Sequence, residues 1–121
     1  RRINLLRLEE DLSAAHLRLH RVVIEQLPWQ ECITRYDRPG TLFFLDPPYW
    51  QVEGYGNEFG LDQYEELAQT MACLKGEAIL TINEHPDMRR LFDRFEGETV
   101  PIRYTIGTGA AVARRERIYL A

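Results

Sequence analysis

Cysteines are few in this sequence, and long apolar runs are absent. The 121 residues include two cysteines, Cys32 and Cys73, which are far apart and have no second pair. They argue against a metal cluster and favour the reduced thiols of a cytoplasmic protein. No apolar run approaches the roughly 20 residues of a membrane-spanning helix, and the arginine-rich start lacks the apolar core of a signal peptide. We expect a cytoplasmic protein without a metal and without a membrane segment.

An excess of positive charge is also absent, since 19 acidic residues outnumber 15 basic ones and give a formal net charge of −4. A nucleic-acid surface that covers the whole chain is therefore not expected. Arginines nevertheless cluster at the start of the chain and near its end, where Arg114, Arg115 and Arg117 are close in sequence. Solvated helix faces and a charged sheet edge explain such clusters. A local patch that contacts phosphate is the second interpretation, because such contacts need only a few cations on one face.

The sequence does contain a regular alternation of helical and strand patterns. Apolar residues make up 45% of the chain and charged residues 28%, which indicates a globular domain or part of one. Period and turn signals predict helices over residues 3–19, 29–36, 62–75 and 86–95 and strands over 21–27, 41–45, 78–82, 99–106 and 117–120. Asp62 and Glu65 form a capping-box pattern at the third helix, and Gly76 is predicted to end it. The alternation predicts an α/β fold with a mostly parallel sheet and a C-terminal antiparallel hairpin.

The motif Asp46-Pro47-Pro48-Tyr49 follows the most apolar run of the chain, residues 41–45. Ligands of open α/β sheets bind beyond the carboxyl ends of the strands, which is where this motif is expected. Prolines keep the backbone extended and need no local partner for their carbonyls, and Asp46 adds a carboxylate beside them. Two adjacent acceptors match the two N–H bonds of an exocyclic amino group. Tyr49 offers a flat face for a planar ring, worth roughly 1–3 kcal/mol per stacked base.

This arrangement of acceptors suits one type of reaction. The lone pair of an aromatic amine is delocalised into its ring, so the nitrogen is a poor nucleophile. Acceptors on both N–H bonds localise that lone pair and allow attack on an electrophilic methyl group by positioning and electrostatics. A proline-rich turn that happens to follow a strand is the alternative interpretation. The glycine-aromatic segment 50–60, which is predicted to close over a ligand, favours the functional one.

The motif and its surroundings resemble the N6-adenine DNA methyltransferases of the Dam type. Asp46-Pro47-Pro48-Tyr49 matches the catalytic motif of that family, and it is the individually specific part of the match. The similarity covers nearly the whole chain. Residues 23–27 correspond to the family's strand that contacts the cofactor adenine, and residues 59–68 to its helix after the active-site loop. Residues 79–83 correspond to the next strand and residues 103–106 to the terminal hairpin.

The resemblance implies a Rossmann-like methyltransferase fold, S-adenosyl-L-methionine as cofactor and double-stranded DNA with a flipped adenine as partner. Asp46 and the Pro47 carbonyl would hold the target amino group, with Pro48 and Tyr49 completing the catalytic motif. The same likeness assigns cofactor binding to Gln26, where the family usually has aspartate, and to Asp46. It suggests a substrate pocket formed by Trp50, Tyr55, Asn83 and Tyr104. His85, directly before Pro86, is interpreted as a helix-entry residue rather than a base.

Two family features are missing from these residues, the Phe-x-Gly-x-Gly donor-binding loop and the DNA-recognition segment. We therefore expect residues 1–121 to be a partial catalytic domain, inactive alone and paired with the missing N-terminal half. Asp at the first motif position favours adenine. The same fold acting on RNA adenine, cytosine N4 or protein glutamine, and a non-catalytic remnant, remain alternatives. The oligomeric state, the recognised site and a companion restriction enzyme stay open.

Overall fold

The computed structural model describes residues 5–52, 59–104 and 112–121. The chain divides into two compact units, Arg1–Glu31 and Cys32–Ala121. Its helices and strands are, in order, α1 (Leu5–Leu19), α2 (Trp29–Tyr36), β1 (Leu42–Leu45), α3 (Leu61–Met71), β2 (Glu77–Asn83), α4 (Pro86–Leu91), β3 (Glu96–Tyr104) and β4 (Val112–Leu120). None of the helices among these residues is long and apolar enough to cross a membrane.

The first unit contains the predicted N-terminal helix and lacks the predicted strand. Helix α1 has the expected bounds within two residues at its start. Residues 21–27 form neither helix nor strand, so that prediction is wrong. Val22, Val23 and Ile24 are 51%, 73% and 84% exposed. An apolar run becomes a strand when neighbouring strands and a covered face stabilise it, and burial of this kind is not found here.

The second unit contains a four-stranded mixed sheet with the order β1-β2-β4-β3. Strand β1 runs parallel to β2, and β4 runs antiparallel to both β2 and β3. The mixed α/β class and the C-terminal hairpin are confirmed, whereas a mostly parallel sheet is wrong. The reason is that the second strand of the hairpin, rather than the first, lies beside β2, which makes both of its pairings antiparallel.

The two faces of the sheet differ in burial. Side chains alternate between the faces along each strand, and in β2 Ala78, Leu80 and Ile82 are buried while the residues between them are not. The core consists of these three residues with Tyr119, Tyr49, Ile33 of α2, the α3 side chains Tyr64, Leu67, Ala68 and Met71, and the α4 region side chains Met88 and Phe92. On the opposite face Leu42, Phe44 and Leu120 remain 59%, 68% and 49% exposed.

Helix α3 has the predicted buried stripe, but both of its ends differ from the prediction. It begins at Leu61 with Gly60 as an extended N-cap and no side-chain cap, so the capping box at Asp62 is wrong. It ends at Met71, well before Gly76. The role of Gly76 is close approach instead, since a Cβ there would collide with the Thr41 carbonyl oxygen. The Asp37 carboxylate also binds the Gly76 N–H at 3.0 Å, which fixes this approach before β2.

Candidate functional site

Asp46 lies at the carboxyl end of β1, as the sequence predicts. Because β1 and β2 are parallel, their carboxyl ends meet at one edge of the sheet, which brings Asp46 near the end of β2. The Thr81 hydroxyl of β2 is 3.2 Å from Asp46 Oδ1 and 3.5 Å from the Leu45 carbonyl oxygen. Asp46 is exposed, so its carboxylate is anchored on one side and accessible to solvent.

The two prolines of the motif differ in what their carbonyls contact. The Tyr64 hydroxyl of α3 donates a hydrogen bond to the Pro48 carbonyl oxygen. Within the described residues, no donor reaches the Pro47 carbonyl. Tyr64 is 1% exposed and Pro48 is partly buried, so this bond is part-buried. The accessible acceptors at the strand end are therefore the Asp46 carboxylate and the carbonyl of Pro47.

Asn83, the last residue of β2, holds the backbone that follows the motif. Its Oδ1 accepts from the Trp50 backbone N–H at 2.8 Å, and its Nδ2 donates to the Trp50 carbonyl at 3.0 Å. The Trp50 indole N–H donates to Asp87 Oδ2 at 3.2 Å. The indole also packs edge-on against Tyr64, with 5.7 Å between ring centroids. The pocket role of Asn83 and Trp50 stays a prediction, and their contacts give both residues a positioning role.

Tyr49 is 8% exposed and belongs to the core. Its carbonyl accepts a hydrogen bond from the Val52 N–H at 3.3 Å, across a turn in which Gln51 has a φ of 57°. A base can stack on the Tyr49 ring only after that ring becomes more exposed. The stacking role of Tyr49 therefore remains a prediction that requires the turn to move.

A second carboxylate lies on the same face of the sheet as Asp46. Glu116 of β4 is opposite Asn83 in the β2–β4 register. Burial raises the pKa of Glu116 above its ordinary value, and the negative charge of Asp46 raises it further. The region around Asp46 is therefore electronegative, which favours a group that gains positive charge and disfavours a bound anion.

Exposed cations lie close to this edge of the sheet. Arg89 pairs with Glu84, and Arg115 Nη1 approaches the same carboxylate at 3.8 Å. Arg90 pairs with Asp87 at 2.9 Å. The side chains of Arg90 and Arg115 are 78% and 73% exposed, which leaves them accessible to a phosphate.

Arg117, which the sequence places in the same cluster as Arg115, lies on the covered face. Its Nη1 donates to the Thr99 hydroxyl and its Nη2 to the Gly97 carbonyl, both at 3.2 Å. Its guanidinium lies over the Tyr119 ring, 5.2 Å from the centroid. Arg117 is therefore a structural residue and not part of a phosphate-contacting patch. The side chain of Arg114 is outside the described residues.

The remaining residues that the sequence singled out are Gln26, Tyr55, Tyr104 and His85. Gln26 is exposed and lies in the first unit, in the segment that was predicted as a strand. Tyr55 lies outside the described residues. Tyr104 is the last residue of β3, and its side chain is also outside them. His85 is the N-cap of α4 and its Nδ1 accepts from the Asp87 N–H at 3.2 Å, which confirms its helix-entry role.

The residues that support the motif were not identified from the sequence. Tyr64 reads as a core residue of a helical stripe, and Thr81 as an ordinary strand residue. Asp87 fits a first-turn helix acid, and Glu116 fits a charged strand position. Their contacts with the motif, or in the case of Asp87 with Trp50, join residues at least 16 positions apart, so no local pattern could reveal them. A separate cavity of about 420 Å³, lined by residues such as Asp37 and Cys73, lies at the opposite edge, before β1 and β2.

The described residues contain no group of histidine, cysteine and acidic side chains that could hold a metal ion. No protein-family model matches the chain, and no curated protein matches it either. A function therefore has to be inferred from the residues at the site.

Proposed function

We propose that this chain forms the amino-group-binding part of a cytoplasmic, S-adenosylmethionine-dependent DNA adenine N6-methyltransferase with a Rossmann-like fold. One observation carries the proposal. At the carboxyl end of β1, the Asp46 carboxylate and the Pro47 carbonyl are adjacent acceptors, while the neighbouring Pro48 carbonyl is already bound by Tyr64. An exocyclic amino group with two N–H bonds is the matching donor.

The chemistry of the acceptor side follows from these two groups. Asp46 and the Pro47 carbonyl each accept one N–H bond of the amine, which localises the nitrogen lone pair for attack. S-adenosylmethionine would supply the methyl group. As the amine nitrogen forms its bond to the methyl carbon, the bond from that carbon to the donor sulfur would break and the neutral thioether would leave. The nitrogen gains positive charge, which the carboxylates of Asp46 and Glu116 stabilise until one N–H proton passes to Asp46 and on to solvent. Thr81 orients the Asp46 carboxylate by its hydrogen bond.

A base within DNA reaches such a site only after it has been turned out of the duplex. Arg90 and Arg115, exposed near this edge of the sheet, are suited to hold the flanking phosphates. Asp at the first motif position favours adenine over the alternative amino groups. The parallel β1–β2 pair and the antiparallel terminal hairpin are compatible with part of the expected fold.

The proposal is tested with the protein expressed from its complete gene. The assay supplies isotope-labelled S-adenosylmethionine and either double-stranded DNA, RNA or total protein, and identifies the methylated product by mass spectrometry. We expect N6-methyladenine in DNA. Asp46→Ala should lower the rate by about two orders of magnitude or more, because it removes a charge-stabilising acceptor.

Asp93→Ala provides the matched control, since Asp93 is an exposed acid in the turn after α4. Its rate should stay within about twofold of the wild type, as is usual for a surface substitution. Methylation of cytosine N4, RNA or glutamine would contradict the proposed substrate. Full activity of Asp46→Ala, or no methyl transfer by the wild type, would contradict the proposed role of the motif.

A further inference from the structure

The sheet face opposite the core has an apolar surface that begins at the edge strand β1. We call it the open face, and its members follow from the alternation of side chains along the four strands and from their register. Leu42 and Phe44 of β1 and Leu120 of β4 are its exposed apolar residues. Partly exposed aliphatic side chains continue the surface across the sheet, namely Ile79, Val100, Ile102 and Ile118. A continuous apolar surface of this kind marks an interaction site.

The charged side chains that the structure describes on the open face are acidic, and the register also places Arg114, whose side chain lies outside the described residues, on this face opposite Ile102. The alternation of side chains places four glutamates on the open face, namely Glu77, Glu96, Glu98 and Glu116. Asp46 is hydrogen-bonded to Thr81, which also lies on this face. Of the side chains on this face that the structure describes, none is a lysine or an arginine. Each of these glutamates lies directly opposite an apolar residue in the register: Glu77 opposite Leu42, Glu96 opposite Leu120, Glu98 opposite Ile118 and Glu116 opposite Val100.

A small cavity combines both properties. It has a volume of about 140 Å³ and is lined by Glu96, Gly97, Glu98, Ile118 and Leu120. Ile118 and Leu120 offer an aliphatic surface, and the two glutamates provide carboxylates beside it. The side chains of Lys and Arg are complementary to this lining. Their long aliphatic stem can contact the aliphatic surface, and their positively charged head can pair with the carboxylates. The cavity is therefore suited to one cationic side chain.

We propose that the open face binds a cationic amphipathic helix of another protein. The apolar stripe of that helix would cover Phe44 and Ile79, and one of its Lys or Arg side chains would enter the cavity between Glu96 and Glu98. A helix is the natural cover for a sheet face. Its diameter of about 10 Å spans roughly two strands, which lie about 4.8 Å apart. The partner would lie directly beside Asp46.

Charge argues against the other occupants of this surface. A symmetric contact with a second copy of the chain would bring the same glutamates against each other. DNA and anionic lipid surfaces are also negative, and like charges across an interface are unfavourable. The inference depends on the open face alone and goes beyond the proposed methyl transfer, so either can fail without the other.

The experiment uses the full chain and two synthetic peptides. The first is an amidated helix-forming peptide of about 18 residues, or five turns, with a leucine stripe flanked by lysines. The second has glutamate at every lysine position. By titration calorimetry the lysine peptide should bind at least about tenfold more tightly, and its affinity should fall with added salt. In NMR spectra the shift changes should centre on Phe44, Ile79 and Ile118.

Three variants test the contacts. The double variant Glu96→Gln/Glu98→Gln should weaken binding of the lysine peptide by about fivefold or more. Phe44→Ser should weaken it by a comparable factor. The matched control Glu65→Gln/Asp93→Asn, which removes two exposed acids outside the open face, should leave the affinity within about twofold.

Several results would overturn the inference. These are equal affinity for both peptides, no saturable binding of the lysine peptide, and shift changes centred on α3 or α4. A dimer of the free chain that the peptide cannot displace would assign the face to a second copy instead. A double glutamate variant that folds, by circular dichroism, and binds like the wild type would exclude the proposed cavity.

Discussion

Asn83 and Trp50 are joined by two hydrogen bonds, although they are 33 positions apart in the sequence. The side-chain amide of Asn83 binds both the N–H and the carbonyl of Trp50, at 2.8 and 3.0 Å. This is the pattern by which a neighbouring strand would hold the backbone. A single side chain at the end of β2 therefore fixes the segment that leaves the Asp46 motif.

Replacement of Asn83 should release this segment. Asn83→Ala removes both bonds and leaves two part-buried backbone groups of Trp50 without them, so we expect the free energy of unfolding to fall by about 1–3 kcal/mol. Urea denaturation followed by circular dichroism measures this. Trp50→Phe is the control, because it keeps the two backbone bonds, loses the indole hydrogen bond to Asp87 and leaves a smaller aromatic ring beside Tyr64. Equal stability of Asn83→Ala and wild type would show that the amide does not hold the segment.

Tyr64 should act through its hydroxyl as well as through its ring. Tyr64→Phe keeps the aromatic packing against Trp50 but leaves the Pro48 carbonyl without its donor, which should cost about 1–2 kcal/mol of stability. Tyr119→Phe is the matched control. The Tyr119 hydroxyl contacts the Met88 carbonyl at a longer 3.4 Å, so its removal should cost less. A larger loss in Tyr119→Phe than in Tyr64→Phe would contradict this assignment.

Several parts of the fold could be predicted because local signals determine them. Helix α2 follows Pro28 and ends before a turn, so its bounds could be read from the sequence. Strand β1 coincides with the most apolar run. The apolar residues at 21–27 gave a false strand, since composition does not tell whether a neighbouring strand is present. The pairing of β4 with β2 was also unpredictable, because hairpin order depends on long-range packing.

The candidate site likewise contains residues whose position could be predicted from the sequence and residues whose position could not. Asp46 and Asn83 could be placed at one edge from the parallel arrangement of β1 and β2 alone. The hydroxyl of Tyr64 could not be assigned to the Pro48 carbonyl, since the helical stripe explains its position without that bond. Glu116 could not be placed near Asp46, because the register of β4 decides which of its residues reaches the strand end.

The raised pKa of Glu116 predicts a pH dependence of stability. Burial, and then the charge of Asp46, raise the folded-state pKa of Glu116 above its ordinary 4.5. The folded state thus holds this proton more tightly, so the contribution to stability is complete below 4.5 and is lost as the pH rises through the folded-state value. In Glu116→Gln this loss is absent. Its stability relative to wild type should therefore increase from about pH 4 to about pH 7.

Urea denaturation at several pH values measures this trend, and Asp46→Asn is the control. That variant removes the smaller cause of the raised Glu116 pKa and keeps the burial of Glu116. Its stability relative to wild type should therefore also increase with pH, but by less than that of Glu116→Gln. A stability difference between Glu116→Gln and wild type that stays constant or falls with rising pH would contradict the burial of this carboxylate.

Recognition of an amino group by Asp46 and the Pro47 carbonyl is tested most directly by NMR titration of this chain with adenosine and with N6,N6-dimethyladenosine. The two ligands share ring and sugar, but only adenosine has N–H bonds to donate. We predict saturable shift changes at Asp46 and Tyr49 with adenosine, at least about tenfold weaker binding of the dimethyl compound, and a comparable loss in Asp46→Ala. Equal binding of both nucleosides, or an unchanged affinity of Asp46→Ala for adenosine, would contradict it.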